Sequence, residues 1–399
     1  MCTESRNLWT GCRPSRIAGA LPGALVLVMA GTPSRAAKVE FLPAADTSLR
    51  FDGNVAVVGN QNVSDEVVEV GLDLSLVAIT RASMFRFSYR PRQEFYRQFS
   101  SLDNTGHSLS VILERSLSPR SSFSMALIGA HTQQQVFRVD QPNLPASLVP
   151  RTTIDQASLD LGARIATGRR SFATWSLDGG LQRFESGLQD SSRAGASVGS
   201  GFRIAERGSL GVSYRYQHLG FESSPTTRVH ALELSGDRQL GPNLAAVYRL
   251  GPLRAEDDSG DATIEPSVDV LLTWATPWSG SVVLGLKETV SVGTGLSSAT
   301  QDRGGYLAWQ GTGTGRFTMS ATAGYGLHEP LDLGDQPATE LSTLITSATA
   351  TWRVGSHVDL GLFHSFADQE PRQETTSALS TRYNTAGGFL RWRLDSRRR

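Results

Sequence analysis

Apolar and polar residues alternate along most of this chain with the period of a β-strand. In residues 47–58, Leu49 and Phe51 are apolar, whereas Arg50 and Asp52 are charged. Because successive side chains of a strand point to opposite faces, a period of two predicts strands rather than helices. Eighteen segments between residues 47 and 394 follow this period, and none has a convincing helical period. The sequence therefore predicts an all-β fold.

The connections between these segments alternate in length. Eight are short turns, with the sequences TRAS, SPRS, TGRRS, ERGS, QLGPN, TPWSG, GTGTG and RVGS, and those between them mostly run longer. This alternation is typical of a transmembrane up-and-down antiparallel β-barrel, with tight periplasmic turns and longer outer loops. A β-helix, a propeller or a sandwich does not predict it. We predict a barrel of about 18 strands, with 16 as the alternative and both termini in the periplasm.

The first 36 residues have the features of a secretory signal peptide. Arg13 and Arg16 end a basic region, residues 17–31 are apolar, and Ser34 and Ala36 are small residues suited to cleavage. The apolar run is too short for a spanning helix, which needs about 20 residues. We expect four regions: a cleaved signal peptide at 1–36, a periplasmic lead at 37–46, the barrel at 47–394 and a C-terminal tail at 395–399.

Composition narrows the function once the signal peptide is removed. The chain carries 38 basic and 38 acidic residues, and residues 1–36 take away four Arg and one acid, leaving 34 basic and 37 acidic residues. This balance argues against a nucleic-acid partner, because phosphate recognition needs an excess of Lys and Arg. Both cysteines, Cys2 and Cys12, also leave, so we expect neither disulfides nor a Cys-ligated metal.

The polar face of the strands carries charges of both signs. An Arg near the middle of the bilayer would cost about 2–4 kcal/mol on the lipid side, so these residues should face a wet lumen. Mixed signs argue against a pore for anions only or cations only, and at least half of the charges could simply brace the wall. The predicted channel-lining residues are Arg86, Arg90, Glu114, Asp160, Arg164, Arg203, Arg215, Arg249 and Asp269.

Tryptophan is concentrated on strands and strand ends. This placement suits the aromatic girdle of a membrane barrel, although aromatic residues also favour strands in general. Outside the signal peptide the tryptophans are Trp175, Trp274, Trp278, Trp309, Trp352 and Trp392.

The last strand resembles the C-terminal recognition pattern of bacterial outer-membrane barrels. Residues 385–392 read TAGGFLRW. An assembly machine that pairs with a strand edge needs one flexible position and apolar anchors beyond it. The resemblance implies the barrel-assembly machinery as a partner, although the chain continues through Arg399 instead of ending on Phe. The four defined positions of the pattern are held by Thr385, Gly387, Leu390 and Trp392.

The chain is also similar in pattern and length to porin-like outer-membrane barrels often encoded beside exopolysaccharide and exosortase systems, especially over residues 47–130. This resemblance implies transport of polysaccharide or small solutes. In the general porins that the chain resembles, the third outer loop narrows the barrel. Residues 134–152 form that loop here, which implies Arg138, Asp140 and Arg151 as constriction residues. A mobile surface loop is the alternative.

Catalytic and metal-binding patterns have little support. The His residues lack the spacing of a metal centre, and the G-x-S-x-G match at 195–199 lies in a strand pattern rather than a strand-to-helix turn. The acidic run Glu256, Asp257, Asp258 and Asp261 could bind Ca²⁺ but suits a solvated loop better. We expect no catalytic residue, metal or cofactor.

Together these features predict an outer-membrane β-barrel channel, either a passive porin or the outer-membrane component of exopolysaccharide export. Two alternatives stay open. A barrel-embedded lipid hydrolase would need a Ser-His-polar triad on its outer wall, and a closed structural barrel would have its lumen filled by loops. The expected partners are outer-membrane lipid and either small solutes or polysaccharide, and an outward apolar strip also suits a homo-oligomer.

Overall fold

The computed structural model of this chain describes residues 38–58, 61–133, 152–185, 189–205, 208–222, 225–276, 280–292, 299–313, 315–331, 340–371 and 381–393. These residues form eighteen strands and one short 3-10 helix, Ser100–Leu102. None of their helices is long and apolar enough to cross a membrane. The strands are β1 Lys38–Val58, β2 Gln61–Ile79, β3 Ser83–Tyr96, β4 Asn104–Ser118, β5 Ser121–Gln133, β6 Thr153–Ala166, β7 Ser171–Phe184, β8 Ser191–Ala205, β9 Gly208–Phe221, β10 Thr227–Gln239, β11 Leu244–Asp257, β12 Ala262–Thr276, β13 Gly280–Val292, β14 Ala299–Thr312, β15 Phe317–Pro330, β16 Leu341–Val354, β17 Val358–Pro371 and β18 Thr381–Arg393.

The strands close into an antiparallel barrel. Each strand pairs with its neighbours in the chain, and β1 pairs with β18 as well as β2. This seam runs from Ala44 opposite Arg393 to Asp52 opposite Thr385. Closure removes the free edges that an open sheet would expose. The predicted up-and-down barrel is confirmed at 18 strands, and the 16-stranded alternative is wrong.

The connections distinguish two ends of the barrel. Eight connections of two to four residues lie at one end, which we call the turn end. At the opposite end, the loop end, the connection between β5 and β6 reaches 19 residues. The predicted alternation has two exceptions at the loop end, where residues 59–60 and 258–261 form connections as short as the turns.

The first hairpin is longer than predicted. β1 begins at Lys38, opposite Ile79, so the predicted periplasmic lead at 37–46 is almost entirely strand. Pro43 interrupts the alternation in the sequence, yet it lies in register opposite Leu74. At the other end of the hairpin, the β1–β2 ladder continues to Val58 and Gln61, into the mostly polar residues 59–64. Strand pairing satisfies the backbone regardless of side-chain polarity, which explains why this hairpin is longer than the alternation predicts.

The two faces of the wall differ in polarity. Leu49 and Phe51 of β1 are exposed on the outside, whereas Arg50 and Asp52, which alternate with them, are buried on the lumen side. The described tryptophans all lie on the outward face and within five residues of the turn end, as a girdle requires. They are Trp175, Trp274, Trp309, Trp352 and Trp392.

The wall departs from a simple cylinder between β12 and β13. Their ladder stops at Val268 opposite Glu288, although β12 continues beside β11 to Ala262 and β13 beside β14 to Val292. Cα atoms of β13 approach within 8 Å of those of β8, which is five strands away. The loop ends of β13, β14 and β15 therefore lean into the lumen. We call residues 288–292, 299–303 and 327–331 the infolded segment.

Candidate functional site

The strand register places every predicted channel-lining residue on the lumen face. Each alternates along its strand with residues of the outward face, so its side chain points inward. The nine are Arg86 and Arg90 of β3, Glu114 of β4, Asp160 and Arg164 of β6, Arg203 of β8, Arg215 of β9, Arg249 of β11 and Asp269 of β12. Their role in lining a conducting path stays a prediction.

One cluster of lumen charges lies near the β1–β18 seam and centres on Arg50. Its guanidinium pairs with Glu69 at 2.9 Å, Glu94 at 2.8 Å and Asp52 at 3.3 Å. Thr385 Oγ1 donates to Asp52 across the seam at 2.5 Å. This cluster ties β18, β1, β2 and β3 together around a cation that is 5% exposed. We did not single out Arg50 from the sequence, although its position between Leu49 and Phe51 indicates a lumen side chain.

A fourth carboxylate, Asp73, lies in the same region of the wall. It lies 3.1 Å from Arg90 Nε and accepts a 2.7 Å hydrogen bond from Arg391 of β18. Ser75 Oγ donates to it at 2.7 Å. Arg90 is thus held in an ion pair, and it stabilises the wall as well as facing the lumen.

A separate charged cluster lies on β7 to β12. Arg215 donates to Glu233 at 2.8 Å, and Ser267 Oγ donates to the same carboxylate at 2.8 Å. Arg193 pairs with Asp178 at 3.3 Å. A cavity of about 300 Å³ is lined by the charged side chains of this cluster together with Asp160, Arg249 and several Ser of β7 to β9. The cavity presents both signs of charge, as the sequence predicts.

Lys287 adds positive charge beside this cluster. It lies on the lumen face of β13, directly opposite Asp269, and Asp269 already pairs with Arg249 at 3.1 Å. Two cations therefore flank one carboxylate. Lys287 is not among the channel-lining residues that we predicted from the sequence. The alternation of β13 nevertheless indicates a lumen side chain, because Lys287 lies between the outward residues Leu286 and Glu288.

Lumen-facing residues are much more buried at the loop end than at the turn end. Near the loop end, Leu219, Leu253, Thr343 and Gln369 have no exposed surface. Near the turn end, lumen-facing residues such as Arg86, Glu114 and Arg164 are exposed. A cavity of about 550 Å³ lies at that end, and Glu114 and Arg164 belong to its lining. The lumen is therefore wide at the turn end and filled at the loop end.

Histidines on the outward face have partners other than serine. His107 Nδ1 bonds to Tyr89 at 2.8 Å, and His131 Nδ1 to Asp155 at 2.7 Å. His230 bonds to Tyr214 at 2.7 Å and His364 to Asn384 at 2.9 Å. None of these described pairs extends to a Ser that would complete a hydrolase triad. Within the G-x-S-x-G match, Ser197 lies inside β8 and bonds to Ser176 Oγ at 2.7 Å.

Carboxylates of the acidic run 256–261 accept hydrogen bonds that stabilise the connection between β11 and β12. Asp257 accepts bonds from Ser259 Oγ at 2.6 Å and from the amide of Asp261 at 3.1 Å, and the Ser259 hydroxyl lowers the pKa of this carboxyl. Thr226 Oγ1 donates to Asp258 at 2.5 Å and lowers its pKa, assisted by Arg228. Among the described residues no group of three or more His, Cys, Asp or Glu side chains could hold a metal ion.

The predicted assembly residues lie on both faces of the last strand. Thr385 and Gly387 face the lumen at the seam, whereas Leu390 and Trp392 face outward, and their part in assembly stays a prediction. The constriction candidates Arg138, Asp140 and Arg151 lie outside the described residues, as do the signal peptide and the tail at 395–399.

Comparison with known proteins gives distant structural likenesses. No known family profile and no curated protein sequence matches the chain. It is similar to OccK2 (OpdF) of Pseudomonas aeruginosa, with 13% identity, 90% of this chain and 98% of that chain covered, and a TM-score of 0.45. A BenF-like porin from Pseudomonas fluorescens Pf-5 has 9% identity, coverages of 90% and 99%, and a TM-score of 0.46. The outer membrane protein OpdK of Pseudomonas aeruginosa has 12% identity, coverages of 89% and 99%, and a TM-score of 0.43.

Proposed function

We propose that this chain is a passive channel of the bacterial outer membrane for small polar solutes. The observation that carries the proposal is a closed 18-stranded barrel with an apolar outer surface and a lumen face that bears paired charges. A closed barrel leaves no unpaired strand edge in lipid, and one of this strand number is wide enough for an aqueous channel.

The lumen charges support solutes that are polar without a strong preference for one sign. Arg193 and Arg215 each pair with a carboxylate, so the wall offers hydrogen-bond donors and acceptors together. The extra cation Lys287 beside Asp269 gives the lumen a mild preference for anions. Export of exopolysaccharide is a more specific proposal. It is supported only by the similarity of the sequence to porin-like barrels encoded beside exopolysaccharide systems.

Uptake into liposomes tests the proposal. The refolded protein should admit monosaccharides and amino acids, and it should admit long oligosaccharides far more slowly. Empty liposomes and liposomes with heat-unfolded protein are the controls. Rapid entry of long oligosaccharides would favour polysaccharide transport, and no entry of any solute would contradict the channel.

A closed structural barrel is the second candidate, because the lumen face near the loop end is buried. Leu219, Leu253 and Gln369 illustrate this, with no exposed surface among them. This candidate predicts that folded protein in liposomes leaves solute uptake unchanged.

A further inference from the structure

The infolded segment packs its outward face against the lumen face of the opposite wall. Val290, Ala299 and Leu331 stand on the outward face of β13, β14 and the end of β15. They share one buried apolar cluster with residues that point into the lumen from the other strands. Those residues are Leu219 and Phe221 of β9, Val229 and Ala231 of β10, and Leu253 and Ala255 of β11.

A polar contact joins the same two layers. Glu265 of β12 points into the lumen, and its carboxylate accepts a 2.9 Å hydrogen bond from Gln301 Nε2 of β14. Arg303 of β14 lies 3.8 Å from the same carboxylate. Arg303 also pairs with Glu288 at 2.6 Å and Glu329 at 3.0 Å, which both belong to the infolded segment. Glu265 is thus the acid through which the wall holds this segment.

Burial distinguishes the infolded segment from the neighbouring wall. Near the loop end, the outward-facing side chains of Arg228 and Arg254 on β10 and β11 are 46% and 59% exposed. Gln301 and Val290 have outward positions too, but they are 4% and 3% exposed. The strands therefore bend inward at the place where β12 and β13 lose their pairing.

The described contacts between the layers are partly apolar and partly polar. Three apolar residues of the infolded segment, one amide and one guanidinium meet the wall. In the wall that the infolded segment has left, the residues of β12 from Ala262 to Ser267 have no ladder partner in β13. Swinging the segment back into line would restore strand pairing there, so a second arrangement of the same strands is available to the wall.

We propose that the infolded segment is a gate at the loop end of the lumen, held closed by Glu265. In the closed arrangement its apolar outward face fills the lumen against β9–β11. In the open arrangement the segment returns to the wall beside β12 and the lumen widens. This inference rests on the proposed channel function.

We call the contact of Glu265 with Gln301 and Arg303 the latch. The conductance of a variant that weakens the latch tests the gate. Glu265→Gln weakens the contact with Arg303 and Gln301 and should raise the open probability about tenfold, as loss of one charge-assisted hydrogen bond predicts. Glu329→Gln is the matched control, because it removes an ion pair of the same Arg303 inside the segment and leaves the latch to β12 intact. An equal effect of both variants, or none of Glu265→Gln, would overturn the gate.

Thiol labelling tests the inward fold independently of conductance. The described residues contain no Cys, so Gln301→Cys and Arg254→Cys each introduce one reactive site into this part of the chain. A polar maleimide on the liposome-embedded protein should label Gln301→Cys about tenfold more slowly than Arg254→Cys, because only the latter is exposed. Adding Glu265→Gln should speed labelling at 301 and leave 254 unchanged. Equal labelling of the two sites would overturn the inward fold.

The two proposals fail in different ways. If the wild type and Glu265→Gln are both silent in bilayers, the channel proposal fails. If the wild type conducts but Glu265→Gln changes neither conductance nor labelling, only the gate fails.

Discussion

At the scale of residues, the cluster around Arg50 shows how the lumen charges stabilise the barrel. One guanidinium satisfies three carboxylates that belong to three adjacent strands. Buried charges are tolerated only when they are paired. Removing one partner leaves the other charges buried without a compensating charge. The cluster is therefore structural, whereas the exposed pair Arg249 and Asp269 is free to interact with solutes.

Replacing Arg50 should destabilise the barrel strongly. Arg50→Gln leaves Glu69, Glu94 and Asp52 without their shared cation, which should lower the free energy of unfolding by about 3–5 kcal/mol. Arg249→Gln removes a half-exposed pair and should cost less than about 1 kcal/mol. Urea unfolding of the protein in lipid vesicles, followed by Trp fluorescence, measures both. Equal costs would contradict a structural role for Arg50.

In the connection between β11 and β12, the pKa of Asp258 reports on one hydrogen bond. Thr226 lowers the pKa of Asp258 from its ordinary 3.8 because its hydroxyl bonds to the ionised form. This bond stabilises the connection above pH 3.8 and is lost as the pH falls through the lowered pKa. Thr226→Val should raise the pKa of Asp258 and leave that of Asp257, which Ser259 lowers, unchanged. Carboxyl NMR measures both, and an unmoved Asp258 would contradict the assignment.

At the scale of strands, the β1–β18 seam explains why residue 387 is a glycine. The explanation is close packing of the two strands, whereas the sequence suggested a need for flexibility. A Cβ at this position would lie 2.4 Å from the carbonyl oxygen of Leu49 and 2.8 Å from Arg50 Cα. β18 can therefore approach β1 closely only because residue 387 has no side chain. Sequence alone indicates that a glycine stands in the last strand, and only the register of the closed barrel shows what it approaches.

Enlarging Gly387 should disturb closure of the barrel. Gly387→Ala pushes β18 away from β1, and overpacking of this kind costs about 1–3 kcal/mol. Gly388→Ala is the matched control, since its Cβ would meet nothing closer than 3.4 Å. The folded fraction in outer-membrane preparations, read from heat-modifiable gel mobility, should fall for Gly387→Ala alone. A similar loss for both variants would indicate a general intolerance of the strand.

Strand existence and strand orientation were predictable, whereas strand ends were not. The alternation around Arg86 and Arg215 fixes their inward direction because the period of a strand is two. Lys38 and Gln61 extend the first hairpin beyond the predicted segments because ladder pairing depends on the backbone, which the pattern does not report. The ion pairs of Arg50 and the inward position of Gln301 depend on contacts between distant strands, and no local pattern contains them.

At the scale of the whole molecule, the barrel has two unlike ends. The turn end carries an outer girdle of tryptophan and exposed lumen charges, whereas the loop end is filled by apolar residues and by the infolded segment. Such an arrangement places a wide vestibule at the turn end and a constriction at the loop end. If the turn end lies in the periplasm, as the short turns of outer-membrane barrels do, the outer mouth of the proposed channel is the narrow one.

Single-channel recording in planar bilayers tests the channel most directly. The refolded protein, shown to be folded by its heat-modifiable gel mobility, should produce discrete conductance steps in symmetric KCl. Under a KCl gradient the reversal potential should indicate a mild preference for anions, and Lys287→Glu should shift it toward cations. Folded protein that inserts into the bilayer but produces no steps at any voltage, both as the wild type and as Glu265→Gln, would contradict the channel and favour a closed structural barrel.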